Sequence, residues 1–273
     1  MITGKILGKK YVTNGISADA SGFVPDMSAD IYYEVIRLID GKLLFLADHL
    51  ERLGQSIEGS GIAFPGNKLI IENLSFLVKD NSFNKGNIRI SLQQASGSET
   101  ILQCYFIPYF YPDDDMYNNG VMLAVYPHIR PNPGIKKWDN QFRTAVSRYI
   151  LEQKVYEVVL VNQQNQITEG SRSNVFFIDK DGSLLTTPGK SILPGITRKY
   201  VLEIAAKEGL AVKEKIISID SLDRIVSVFI SGTSPKVLPV KQINEVCFDV
   251  NHPLLRQLMN RFEQVIQSKL TSI

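Results

Sequence analysis

ITEGSRSNVFFI, residues 167–178 of a 273-residue chain, sets Glu169 and Gly170 ahead of Ser-Arg-Ser-Asn and then four apolar residues, Val175 to Ile178. An unbroken apolar run of that length is expected to be a strand buried on both faces. A carboxylate at the mouth of such a strand is costly unless a partner meets it. Fold and function turn on what that partner is.

Outward from this stretch, strands and helices alternate without a strict repeat. Upstream, YEVVLVN reads as a strand, and Phe142, Ala145, Val146, Tyr149 and Ile150 mark one face of a helix. GVMLAVYP reads as a strand before that helix. Downstream, Asp181-Gly182 signals a turn, GITRKYVLEIAAKEGL a helix opened by Gly195 and closed at Gly209, and VSVFISGTS a buried strand. The last helix carries Leu254, Leu255, Leu258, Met259, Phe262, Val265 and Ile266. In the first half, YYEVIRLIDGKLLFL turns at Asp40-Gly41 as a hairpin, helices are expected from about Asp48 and over Lys68 to Lys79, and NIRISLQQ pairs with ILQCYFIPYF. Between the halves lies YPDDDMYNNG, whose turn chemistry reads as a linker and whose aspartates read as solvated. The pattern is α+β, with a small N-terminal domain over 1–112, a linker over 113–119 and a larger C-terminal domain over 120–273.

Composition excludes several classes. Apolar residues make up 44% of the chain, enough for a real core. Lys plus Arg number 30 against 28 Asp plus Glu, so the net +2 gives no general attraction to nucleic acid or an anionic membrane. No apolar run approaches a membrane span, and the opening Met-Ile-Thr-Gly-Lys does not read as a signal peptide. Cys104 and Cys247 are expected to be reduced, buried thiols of a cytoplasmic protein. The three histidines, His49, His128 and His252, stand far from any cysteine, which disfavours a zinc site or a serine hydrolase triad. Neither a Gly-x-Gly-x-x-Gly after a strand nor a Walker loop is present. What remains are small-residue turns: Gly195-Ile196-Thr197 opening a helix, whose N–H groups suit a phosphate, and Gly232-Thr233-Ser234 at a strand end. With Glu169 they ask for a cofactor having a phosphate and a basic ring nitrogen.

The ordered set DHLERL (48–53), a lysine near 136, ITEGSRSNVFFI, ILPGITRKYVLEIA (192–205) and VFISGTSPKVLPV (228–240) resembles the class IV aminotransferases, pyridoxal 5'-phosphate (PLP) enzymes of fold type IV. These include branched-chain and D-amino acid aminotransferases and aminodeoxychorismate lyases. The resemblance implies a small α/β domain and a larger domain with a barrel-like sheet, an active site between the domains, and a homodimer. It places the Schiff-base lysine at Lys136, with its neighbour Lys137 as rival, since adjacent residues of an extended segment face opposite ways. The family's Lys-x-x-Asn is here Lys136-x-x-Asp139. It gives Glu169 to the pyridine nitrogen, beside a Gly170 that lets the chain pass the cofactor ring, and Arg52, Ile196, Thr197 and Thr233 to the phosphate. Tyr33, Arg89, Gln94 and Ser234 fall at substrate positions.

D-amino acid and lyase members commonly carry Arg-Gly where this chain has Gln94-Ala95, whereas Arg89 resembles the arginine of an IRP segment in branched-chain enzymes. The resemblance therefore implies transamination between a branched-chain or related L-amino acid and a 2-oxo acid. An aminodeoxychorismate lyase and a non-catalytic PLP-binding protein are the alternatives. Arg172, often a small residue in the family, is either a solvent-facing turn residue or a positive charge near the substrate.

Overall fold

A computed structural model describes residues 6–24, 30–94 and 99–273. The chain forms two compact units. One comprises residues 1–110, 135–140 and 268–273; the other comprises 111–134 and 141–267. The first unit thus takes in two pieces that lie beyond the contiguous N-terminal span expected from sequence.

In the first unit, strands β1 (Leu7–Thr13) and β2 (Ile16–Asp19) turn at Asn14-Gly15, and β3 (Tyr32–Ile39) and β4 (Lys42–Leu44) turn at Asp40-Gly41. Both residues of each turn have positive φ, 46° and 83°, then 48° and 75°, the conformation a two-residue hairpin needs. Helices α1 (Leu46–Ile57) and α2 (Asn67–Asn81) precede β5 (Gly86–Gln94) and β6 (Thr100–Ile107). With the C-terminal strand Leu270–Thr271 they give an antiparallel sheet in the order C-terminal strand, β4, β3, β5, β6, β1, β2. Ile36, Leu38, Ile88, Ile90 and Leu92 pack with Leu50, Leu53, Leu74 and Leu77 of the two helices. Alternation then puts Arg89, Ser91 and Gln93 on the other face of β5, where they too are buried. Helix α1 starts ahead of the expected Asp48, because Phe45 takes a left-handed conformation (φ 55°) and its N–H donates to the Lys269 carbonyl.

The second unit begins with α3 (Asp114–Asn119), where a linker was expected; the Asp113 carboxylate accepts from the Met116 N–H at 2.9 Å and caps it. There follow β7 (Val121–Pro127), α4 (Asn140–Gln153), β8 (Glu157–Val161), β9 (Gln166–Gly170), β10 (Asn174–Asp179), β11 (Leu184–Thr186), α5 (Ile196–Lys207), β12 (Val212–Glu214), β13 (Ile217–Ser218), β14 (Ile225–Gly232), β15 (Lys236–Ile243), β16 (Val246–Cys247) and α6 (Pro253–Ser268). The sheet order is β12-β11-β10-β14-β15-β7-β8-β9-β13, with β16 beside β15. Strand β10 lies inside it, between β11 and β14, so Val175 to Ile178 are almost wholly excluded from solvent. Phe176 stacks on Phe229 of β14, ring centroids 4.8 Å apart. Cys104 is buried, but Cys247 is exposed, contrary to the expectation that both thiols are covered; it sits on the short edge strand β16.

Candidate functional site

A charge cluster organises the first unit. Glu34 projects from β3 onto the face that carries Ile36 and Leu38 and is fully buried, so its carboxylate must be met there. Arg52 of α1 meets it with both Nε and Nη2 at 2.7 Å, and His49 Nδ1, one turn earlier, lies 2.8 Å away. Burial alone would raise the Glu34 carboxyl pKa; Arg52, Lys136 and the His49 contact outweigh it and hold the group well below the ordinary carboxylate range. Burial likewise lowers the His49 pKa, against the pull of Glu34, so the ring favours its neutral form.

Residues 135–140 lie along the start of β3. Lys136 donates its N–H to Ser56 Oγ (3.2 Å) and accepts the Tyr33 N–H (3.1 Å), Lys137 makes an antiparallel bridge to Tyr32, and the Trp138 N–H donates to the Ile31 carbonyl. In this extended segment alternate side chains diverge. Lys136 Nζ turns in to 3.7 Å from Glu34 and 5.4 Å from the Tyr33 ring centroid, its side chain 14% exposed. Lys137 is 45% exposed and pairs with Asp30 at 2.7 Å, whose hydrogen bond raises its pKa. Arg89, itself buried, lies between the Tyr33 and Trp138 rings, 4.5 and 4.4 Å from their centroids. Gln94 is exposed at the end of β5, and Ala95 falls outside the described residues.

In the second unit Glu169 lies within β9 and is buried. Its Oε1 accepts from Arg130 Nε at 2.7 Å and its Oε2 from the Leu193 N–H at 3.2 Å. Burial nevertheless raises its pKa, against Arg130, Leu193 and Arg143. The turn that follows is fastened from below. Glu157 accepts from Ser171 Oγ (2.6 Å) and the Arg172 N–H (3.1 Å), while Arg143 donates to the Ser171 carbonyl. Gly170 suits that turn, because a Cβ there would meet Ser173 Oγ and lie 3.2 Å from the Ser173 carbonyl oxygen. Arg172 is a solvent-facing turn residue whose Nη2 donates to Ser147 Oγ on α4.

Ile196 and Thr197 open α5 and are buried; the N-cap is Gly195, which has no side chain to cover the first-turn N–H groups. Thr233 and Ser234 form the half-exposed turn between β14 and β15. Within the first unit the structure thus brings Arg52, Lys136, Tyr33 and Arg89 into linked contacts, and within the second it surrounds Glu169 with partners. Sequence reasoning gave no site role to Glu34, His49 or Arg130. A charge inside the apolar strand YYEVIRLI was the available signal for Glu34; Arg130, in a Pro- and Asn-rich loop, offered none.

Residues 32–243 match the family described as amino-transferase class IV. The chain belongs to that family, whose members are PLP-dependent enzymes. It is 28% identical over 269 residues, 93% of each chain, to the D-alanine aminotransferase of Staphylococcus haemolyticus, and 28% identical over 264 residues to that of Listeria innocua, 88% of each chain. Among solved structures it resembles the Escherichia coli branched-chain amino acid aminotransferase with a TM-score of 0.85 at 19% identity, over 97% of this chain and 99% of that one. The T.th. branched-chain enzyme, whose structure holds pyridoxamine 5'-phosphate, gives 0.84 at 19% identity, over 98% and 99%. The fold is that of these enzymes, α+β with the larger sheet curled as a half barrel.

Proposed function

We propose that this class IV enzyme transaminates an amino acid with a 2-oxo acid, using PLP bound to Lys136, and that the donor is a branched-chain or related L-amino acid. The observation that carries the assignment is the contrast between neighbouring lysines: Lys136 is turned inward against Glu34, and Lys137 is paired at the surface with Asp30. A covalent attachment point and proton carrier has to be held in one geometry by fixed neighbours.

The residues suit the cofactor. Among the described residues, Ser173 Oγ, Ser231 Oγ and Arg89 Nε are buried without a hydrogen-bond partner, a state that asks for a ligand or water. A glycine-capped helix start at Ile196 and Thr197, with Thr233, suits a phosphate, and the grip of Glu34 on Arg52 fixes a guanidinium plane that phosphate can meet. Bound PLP supplies an electron sink for the substrate's α-carbon. Lys136 would remove the α-proton and return it, and Glu169 would keep the pyridine nitrogen protonated. Arg89, with Tyr33 beside it, would receive a substrate carboxylate, and by family likeness Gln94 and Ser234 would also meet the substrate. Gln94, standing where D-amino acid and lyase members commonly have arginine, favours the L reading. The D-alanine aminotransferase relatives favour a second reading, with D-alanine as donor. The free thiols Cys104 and Cys247 suit the cytoplasm, and by family likeness the enzyme would act as a homodimer, which sedimentation equilibrium checks; a monomer at working concentration contradicts it.

Visible absorbance of the PLP-loaded protein tests the lysine. The band should vanish in Lys136→Ala and persist in Lys137→Ala; persistence in the first variant refutes the assignment. Bleaching by single L- and D-amino acids, with oxo acid formed, then sorts the donors. Release of pyruvate and 4-aminobenzoate from aminodeoxychorismate would instead make the protein a lyase, and a band that no amine changes would leave it a non-catalytic binder.

A further inference from the structure

The second unit's candidate cofactor contacts come from three segments: Glu169 on β9, Ile196 and Thr197 at the start of α5, and Thr233 after β14. PLP is a rigid ring, so the groups that meet its nitrogen and its phosphate must be held at a fixed separation. These groups lie far apart along the chain, so sequence proximity cannot set that separation.

One side chain ties the three segments together. Asn174, the first residue of β10, is buried. Its Nδ2 donates to the Leu193 carbonyl at 2.9 Å, and the N–H of the same Leu193 donates to Glu169 Oε2 at 3.2 Å. Its Oδ1 fills the space beside Gly195, where a Cβ would collide with it. Its backbone pairs with Ser231, just ahead of the Thr233 turn. Leu193 therefore has one backbone group on the carboxylate and the other on the asparagine, and the next residue but one is the cap of α5.

We infer that Asn174 is a positioning residue: through Leu193 and Gly195 it fixes the start of α5 relative to Glu169, and so fits the site to the length of a phosphorylated pyridine. The inference rests on the PLP reading above. Pyridoxal, which lacks the phosphate, would still meet Lys136 and Glu169 but makes no use of the α5 and Thr233 groups, and serves as the internal control.

The experiment titrates stripped protein with PLP and with pyridoxal, following visible absorbance. Asn174→Ala loses the hydrogen bond to Leu193 and empties the space at Gly195. Its PLP Kd should rise about tenfold while its pyridoxal Kd changes less than about twofold. Asn174→Asp keeps the shape but cannot donate to Leu193, and should show the same selective loss if the alanine variant is poorly folded. Gly195→Ala drives a Cβ into the amide and should do likewise, and the Asn174→Ala/Gly195→Ala double variant should lose no more than the worse single one. Equal losses for PLP and pyridoxal, additive losses in the double variant, or unchanged affinity in all variants overturn the inference. Wild-type protein that acquires no PLP band overturns the PLP reading instead.

Discussion

Glu34→Gln isolates the charge at the centre of the first unit's cluster while keeping its shape. In the native unit one carboxylate serves Arg52 twice at 2.7 Å, His49 at 2.8 Å and Lys136 at 3.7 Å. Glutamine has one oxygen and one NH2, so whichever way it sits an N–H faces an Arg52 N–H, and the buried guanidinium loses its counter-charge. Removing one partner of a buried pair costs about 3–5 kcal/mol, and the retained shape puts this variant near 3 kcal/mol. For a chain of this size that is a fall in Tm of about 6–12 °C. Trp138, the single tryptophan, belongs to the first unit, so its fluorescence during thermal unfolding of stripped protein reports that unit. A Tm within about 2 °C of wild type would refute the claim that Glu34 holds the cluster. So would a Glu34→Gln/Arg52→Met double variant whose loss equals the sum of the single losses, because groups that share an interaction are not additive.

The same cluster sets an acid limit. His49 has a folded pKa below its ordinary 6.5, so the unfolded chain binds the extra proton first and stability falls as pH drops below 6.5. Glu34, held below its ordinary 4.5, adds a second fall beneath that value as its carboxylate protonates. Urea midpoints across this range should show both, and His49→Gln should flatten the upper step while leaving the lower; an unchanged upper step refutes the role of His49. For the thiols, a chromogenic disulfide reagent should titrate Cys247 promptly in folded protein and Cys104 only after unfolding, since Cys104 is fully buried and burial pushes its pKa up. Prompt reaction at Cys104, seen in Cys247→Ser, would contradict the packing.

Much of this architecture is written locally. The hairpin at Asp40-Gly41 and the strand Val175–Ile178 were legible because turn chemistry and an apolar run act within a few residues. The start of α1 was not, because Phe45 is held by Lys269, at the other end of the chain. The aspartates after Tyr111 read as a solvated turn, yet Asp113 caps a helix, a role the same residue type fills equally well. Glu169 was legible as a charge that needed a partner. Arg130, which meets it, was not, since no local pattern ties a loop arginine to a carboxylate on another strand. His49 looked solitary because its partner, Glu34, is on β3, a whole hairpin earlier, and becomes a neighbour only when α1 packs on that strand. Lys136 and Lys137 could be ranked only by resemblance until the extended segment was seen to turn one inward.

The first unit is also assembled out of chain order. Its core comes from residues up to 110, yet residues 135–140, with Lys136, and the edge strand Leu270–Thr271 arrive later. During synthesis the domain translated earlier ordinarily folds before the later one. Here the edge of β4 is paired by Leu270–Thr271, so the unit that starts earlier in the chain is completed by residues translated after the whole of the second.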